Sequence, residues 1–164
     1  VDYLVNKGHR ELAMLTTGED NEYTLDRDQG FALGIARHEL ALRKIALPTA
    51  AVTLDTVRGL LNAGVTAFVV ARDDRARAVL KVTDSLGLRA SRDFSLVVLG
   101  NDVLADDAPR PHWTYFDVPR QEMGAAAVRL LVERIQKPED RQPRRVVLPC
   151  RLIAGDTVGP APGH

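Results

Sequence analysis

"TAFVVARDDRARAVLKVTDSLGL", Thr66–Leu88, contains one complete unit of strand, turn and helix. Its first part, Thr66–Ala71, is a continuous apolar run, which is typical of a parallel strand whose sheet is covered on both faces. The following Asp73–Leu88 repeats apolar residues at helical spacing, and Gly87 can take the left-handed conformation that closes helices. We therefore predict a buried strand, a polar turn and an amphipathic helix in this stretch.

The same alternation extends to both sides of this unit. Toward the N-terminus we predict a strand at Glu11–Thr17 and helices at Arg27–Leu42 and Leu54–Gly64, and toward the C-terminus a buried strand at Phe94–Gly100. Thr49–Leu54 is ambiguous between a short strand and the start of a helix. Strands that alternate with helices through short loops predict an α/β fold with a doubly wound parallel sheet.

The chain changes character after Gly100. Asn101–Trp113 is acidic and holds two prolines, so we predict an irregular crossover there. A short strand at Thr114–Val118 precedes a helix at Pro119–Gln136, and a last strand is predicted at Arg145–Ile153. The apolar stripe of the helix is most simply explained as core, and it consists of Met123, Ala127, Leu130, Leu131 and Ile135.

Composition limits the classes of protein to which the chain can belong. Its 164 residues suit one domain or slightly more, and 45% hydrophobic with 27% charged residues are ordinary for a globular protein. Because 22 basic residues are balanced by 22 acidic ones, the chain lacks the basic excess with which DNA-binding domains neutralise phosphates. No apolar run reaches the length of about 18 residues that a membrane span needs. We therefore expect no membrane contact and no direct DNA contact from this segment.

The cysteine and histidine residues give no sign of catalysis. Cys150 is the single cysteine, which excludes an internal disulfide framework and suits a reducing cytoplasm. We interpret it as a small buried hydrophobe, since no histidine stands beside it in sequence. The four histidines lack the spacing of metal ligands, and His9 is interpreted as a packing or capping residue. Without a phosphate-binding loop, a cofactor motif or a nucleophile at a strand end, an enzyme is not favoured.

Polar residues follow three of the predicted strands, at Gly18–Arg27, Arg72–Asp74 and Asn101–Asp102. In open parallel sheets, ligands bind outside the carboxyl ends of the strands. These groups could therefore converge on one small polar ligand, with arginine as a forked donor and carboxylates as acceptors. The alternative is that loop ends are polar in any case and that Asp73 or Asp74 only caps the next helix.

Six segments, taken in order, resemble the effector-binding domain of the lactose-repressor/galactose-repressor (LacI/GalR) transcription regulators. They are "YLVNKGHRELAML", "RDQGF", "TAFVVARDDRARAVL", "LGLRASRDFSLVVLGND", "DVPRQEMGAAAVRLL" and "RRVVLPCRLIAGDTVG". Each match is weak alone, but their shared order over nearly the whole chain is specific. The resemblance implies a cytoplasmic sensor that is not an enzyme and holds no cofactor.

The resemblance also implies two similar α/β lobes that clamp an effector, and a helix-turn-helix head before them. Residues 1–112 and 145–154 would form the C-terminal lobe, residues 113–137 would be a strand and a helix of an incomplete N-terminal lobe, and the head would lie outside this chain. The helix Pro119–Gln136 is then expected to pack less fully than the rest. The effector would be a sugar, a sugar derivative or an anionic metabolite, and its binding would control how a homodimer binds operator DNA.

Two alternatives stay open at this point. Leu60–Leu61 and Val103–Leu104 could provide a dimer contact, or they could simply be core. The whole chain could instead belong to a periplasmic sugar-binding protein of a transporter, which shares the two-lobed fold. The "EMG" helix and the "VVLP" strand favour the regulator.

The effector-binding residues carry over unevenly from the family. Arg27 matches an arginine that often clamps the effector, and Asp73 is kept, but Arg72 stands where an asparagine commonly contacts sugar hydroxyls. Gly100 stands where the family has an effector-facing aspartate, and a shift of one residue could bring a following side chain into its place. An arginine at position 72 favours an anionic ligand such as a sugar phosphate or acid, and could equally mean a degenerate pocket. The predicted effector-binding residues are Arg27, Arg72, Asp73, Asn101 and Asp102.

Overall fold

A computed structural model gives the fold and describes residues 1–16, 19, 21–41, 43–46, 51–100, 112–139 and 142–163. In chain order its elements are α1 (Asp2–Asn6), β1 (Leu12–Thr16), α2 (Glu22–Arg37), β2 (Arg43–Ala46), α3 (Leu54–Asn62), β3 (Ala67–Val70), α4 (Asp73–Ser85), β4 (Ser95–Val98), β5 (Thr114–Asp117), α5 (Arg120–Gln136) and β6 (Arg151–Ile153). In the described part of the chain, no helix has the length and apolarity needed to cross a bilayer.

The described strands form one sheet in the order β2-β1-β3-β4-β5-β6. Neighbours from β2 to β5 run parallel, and β6 runs antiparallel beside β5. The register sets Ala67 of β3 beside Leu12 of β1 and Ser95 of β4, so these strands start at one edge of the sheet and end at the other. The predicted α/β class with a parallel sheet is confirmed.

Both faces of the sheet are buried, as the continuous apolar strands predict. On β3, Phe68 and Val70 belong to a hydrophobic cluster that includes Val57 of α3 and Val79 of α4. Val69 belongs to a second cluster that includes residues of α1 and α2. Alternate side chains of one strand therefore pack against helices on opposite faces, which makes the sheet doubly wound.

Two features of the N-terminal half differ from the prediction. α2 spans Glu22–Arg37 rather than Arg27–Leu42. It begins earlier because the side chain of Asn21 caps it and accepts a hydrogen bond from Thr24 N at 2.9 Å. β2, Arg43–Ala46, was missed, because it is a four-residue edge strand with two basic residues. Such a sequence lacks the apolar run by which the inner strands are recognised.

The strand and the helix that we assign to a second lobe pack differently from each other. β5 joins the main sheet, where Val97 pairs with Thr114 and Val98 with Tyr115. α5 buries Ala126 among its described side chains, and exposes Met123, Val128, Leu131, Val132 and Ile135. The interpretation of its stripe as core is wrong for this chain, because the described residues leave most of that face open. The expected looser packing of the helix is confirmed, and the lobe boundaries at residues 113–137 stay a prediction.

The last strand is shorter than predicted, at Arg151–Ile153 instead of Arg145–Ile153. It pairs with β5, which has four residues, so its pairing ends where Arg151 meets Asp117. Cys150 precedes the strand and is exposed. Its interpretation as a small buried hydrophobe is therefore wrong, because the residue lies outside the paired part of the sheet.

Residues 155–161 form a C-terminal tail that crosses the amino ends of the strands. Leu96 N donates to Thr157 O at 2.8 Å, and the Thr157 hydroxyl donates to Leu96 O at 2.8 Å. His9 lies buried beside the tail, with Nδ1 2.9 Å from Thr66 Oγ1 and Nε2 2.9 Å from Ser95 Oγ. The interpretation of His9 as a packing residue is confirmed.

Candidate functional site

A groove of about 760 Å³ opens at the carboxyl edge of the sheet. It lies between α2, the ends of β3, β4 and β5, the first turn of α5, and residues 148–150. Its polar lining includes Tyr23, Asp26, Arg27, Arg72, Gly100 and Arg120, and its apolar lining includes Phe31, Val69, Leu99, Phe116, Val118 and Met123. The position agrees with the rule that ligands of parallel sheets bind outside the carboxyl ends of the strands.

Arg27 joins two strand ends at the floor of the groove. Its Nη1 donates to the carbonyl of Ala71, which follows β3, and its Nη2 donates to the carbonyl of Leu99, which follows β4, both at 3.2 Å. The guanidinium carbon also lies 3.7 Å from the ring centre of Tyr23, a cation–π contact. The forked guanidinium therefore bridges two neighbouring strand ends and carries a positive charge to the groove.

Arg72 lines the groove one residue beyond the carbonyl that Arg27 holds. It is the N-cap residue of α4, and its Nε lies 3.4 Å from Asp74 Oδ1. Both side chains are nearly half exposed, so this ion pair is screened by water and worth little. Arg72 therefore brings a partly solvated positive charge to the groove.

Asp73 occupies a different environment from the two arginines. It is buried in the first turn of α4, where a carboxylate stabilises the positive end of the helix. Among the described residues that line the groove, Asp73 does not appear. Of the five predicted effector-binding residues, the structure brings Arg27 and Arg72 together. Asn101 and Asp102 lie outside the described residues.

The sequence analysis missed most residues that line this groove, among them Tyr23, Phe31, Phe116 and Arg120. Tyr23 lies in the polar stretch after β1 and could have been found there. Phe116 and Arg120 were missed because β5 was assigned to another lobe. Once β5 is known to pair with β4, the strand-end rule points to the residues that follow it.

The described residues that line the groove carry a net positive charge, since three arginines stand against one carboxylate, Asp26. The remaining surface is largely aliphatic and aromatic, which suits the apolar faces of a small polar molecule. The described residues contain no group of three or more His, Cys, Asp or Glu side chains that could hold a metal ion.

The sequence also matches a known family over most of its length. A family model described as "Periplasmic binding protein-like domain" matches residues 1–158. The transcriptional regulator CelR of Thermobifida fusca is 28% identical over 160 residues, which cover 94% of this chain and 46% of that protein. The chain thus spans about half the length of the curated relatives that it matches over nearly its whole length.

Solved structures of transcriptional regulators also resemble this chain. A LacI-family transcriptional regulatory protein from Corynebacterium glutamicum is 25% identical with a TM-score of 0.74, over 97% of this chain and 62% of that one. A complex of the transcriptional regulator CelR with cellobiose is also 25% identical with a TM-score of 0.74, over 94% of this chain and 49% of that one. These proteins are regulators by name, so a transporter's binding protein is not favoured.

Proposed function

The chain belongs to the periplasmic binding protein-like domain family, and from this premise we propose that it binds a small effector in the groove at the carboxyl edge of its sheet. The sequence resemblance to LacI/GalR effector domains is confirmed by the same comparisons. The proposed effector is a sugar or a sugar derivative. The cellobiose bound to a related regulator supports a ligand of this size and polarity.

The observation that carries the proposal is the position of Arg27. Its guanidinium bridges the carbonyls of Ala71 and Leu99 and stacks on Tyr23, so it is held in place before a ligand arrives. A held cation binds a polar ligand with less loss of conformational entropy than a mobile one. The same residue couples the ligand to the ends of β3 and β4.

We propose further that effector binding controls how a homodimer binds operator DNA through a head domain outside this chain. The effector can shift this equilibrium only by the difference between its affinities for the two arrangements of the protein. Leu60 and Leu61 pack partly buried against the core, so they are not our candidates for the dimer contact. Val103–Leu104 lie outside the described residues. A cytoplasmic sensor without catalysis is part of the same proposal.

Calorimetric titration of the whole product of the gene tests the binding proposal. Cellobiose, glucose, gluconate and glucose 6-phosphate would be titrated separately, followed by a wider panel of sugars and sugar derivatives. We expect one of them to bind at micromolar to millimolar concentration. The proposal is wrong if no member of the panel binds. Selection from random DNA, repeated with and without the bound compound, then tests whether the effector changes DNA affinity.

Arg27→Ala is expected to weaken binding of that effector by about tenfold to a hundredfold, because charge-assisted hydrogen bonds contribute roughly 1.5–3 kcal/mol. Arg27→Lys should lose nearly as much, since an ammonium group cannot reach both carbonyls as a forked guanidinium does. Arg58→Ala, at an exposed position of α3, is the matched control and should bind as the parent does. Equal affinity of all three variants, measured by calorimetry, would exclude Arg27 from the site.

A further inference from the structure

Gly100 lies directly against Arg27 at the end of β4. A Cβ atom at this position would come within 3.0 Å of Arg27 Nη2 and 3.8 Å of the Ala71 carbonyl oxygen. Gly100 is not among the glycines with positive φ, so its backbone does not require glycine. Glycine instead places no side chain in the space beside the Arg27 guanidinium, and both residues line the groove.

The described side chains that line the groove carry more positive than negative charge. Arg27, Arg72 and Arg120 line it against Asp26. Asp73 and Asp74 follow Arg72 on α4 but do not belong to this lining. A carboxylate built at position 100 would lie within ion-pair distance of Arg27 and would reduce the positive excess of the lining.

We propose that the groove selects an effector that carries a negatively charged group, a phosphate or a carboxylate, and that Gly100 determines this selectivity by leaving room for the anion beside Arg27. The inference rests on the proposed function, because it concerns the same groove. Arg27 is the residue that meets the anion, and its contacts with Ala71 and Leu99 hold it there. Gly100 determines specificity because it has no side chain that would occupy the place of the anion beside Arg27.

Two substitutions at position 100 separate the effect of side-chain volume from the effect of charge. Gly100→Ala adds a methyl group and no charge. The guanidinium of Arg27 then has to shift by only a few tenths of an ångström and the contact with the Ala71 carbonyl is ordinary, so the fold should tolerate the change. Gly100→Asp adds a carboxylate at the same place. Gly59→Asp is the matched control, because Gly59 is exposed on α3 and a Cβ there meets no atom within 4 Å.

The experiment is calorimetric titration of the whole gene product with glucose, gluconate and glucose 6-phosphate. For the parent and Gly59→Asp, we expect at least one of the two anions to bind about tenfold more tightly than glucose, which corresponds to about 1.4 kcal/mol. Gly100→Ala should weaken the anion but keep its preference over glucose. Gly100→Asp should abolish the preference. The two anions also separate a phosphate from a carboxylate as the recognised group.

The outcomes distinguish the inferred anion selectivity from the proposed binding of an effector. Glucose that binds the parent as tightly as both anions overturns the anion selectivity and leaves effector binding intact. A preference that survives Gly100→Asp overturns the role of Gly100. No binding of any of the three compounds also overturns the inference, and the wider panel then decides whether the groove binds an effector at all.

Discussion

His9→Ala is expected to lower the free energy of unfolding by about 3 kcal/mol or more. The ring is fully buried, and its Nε2 also lies 3.2 Å from the carbonyl oxygen of Gly159 in the tail. Because a carbonyl oxygen only accepts, the contact with Gly159 needs a hydrogen on Nε2, while Nδ1 lies 2.9 Å from the Thr66 hydroxyl oxygen. Alanine would leave a cavity and deprive buried polar groups of their partner, and both losses are costly.

Urea unfolding followed by the fluorescence of Trp113 measures this loss, since Trp113 is the single tryptophan and is buried. His38→Ala is the control. His38 pairs with Asp2 at 2.7 Å, but the carboxylate is largely exposed, so its removal should cost less than about 1 kcal/mol. If both variants lost the same stability, the buried network around His9 would not be what holds the tail.

The same residue predicts how stability depends on pH. Burial lowers the pKa of His9 below its ordinary value of 6.5, and the hydrogen bond to the Gly159 carbonyl opposes this shift only in part. As the pH falls below 6.5, the unfolded chain takes up a proton at His9 before the folded chain does. Stability contributed by neutral His9 is therefore present above this pH and is lost as the pH falls toward the lowered pKa. This part of the pH dependence should be missing in His9→Ala.

The sequence predicts the parts of the fold that depend on local pattern. Thr66–Ala71 and Phe94–Gly100 are mostly apolar, and each contains a strand that is buried on both faces. Arg27 was identified because it matches a motif and follows a predicted strand. The sequence alone does not show which strands become neighbours. The order of the strands in the sheet places Arg120 in the groove and brings Gly100 against Arg27.

The incorrect predictions for the stripe of α5 and for Cys150 have a related physical cause. An apolar residue in a helix is equally suited to a core and to a surface that another part of a protein would cover, so the stripe of α5 could not be classified from spacing. Cys150 was misplaced for the same reason, because its burial depended on how far β6 pairs with β5. Patterns of one segment predict its conformation, whereas its burial is decided by segments distant in sequence.

Gly159→Ala is expected to cost roughly 3 kcal/mol, because there is no room for a side chain at this position. A Cβ atom there would overlap the backbone carbonyl of Ser91. Ser91 cannot easily move away, since it already has a positive φ of 66° and its N–H donates to Phe94 O at 2.8 Å. The tail must therefore shift instead, and Gly159 then loses its hydrogen bonds with Ser95.

Amide hydrogen exchange across residues 155–161, together with urea unfolding, measures this effect. Protection of the tail should fall more than protection of β3. Gly124→Ala is the control with the opposite sign, since Gly124 lies in α5 with open space around it, and alanine there should stabilise the helix by about 0.5–1 kcal/mol. Unchanged protection of the tail in Gly159→Ala would contradict the close contact with Ser91.

The effect of Gly159→Ala on binding shows whether the tail at the amino ends of the strands influences the groove at their carboxyl ends. His9, Thr66 and Ser95 anchor the tail at the amino ends of the strands, whereas the groove lies at their carboxyl ends. Loss of the tail contact should therefore lower stability while the fraction that stays folded binds an effector with the parent's affinity. A variant that folds but binds more weakly would mean that the tail also positions the strand ends held by Arg27.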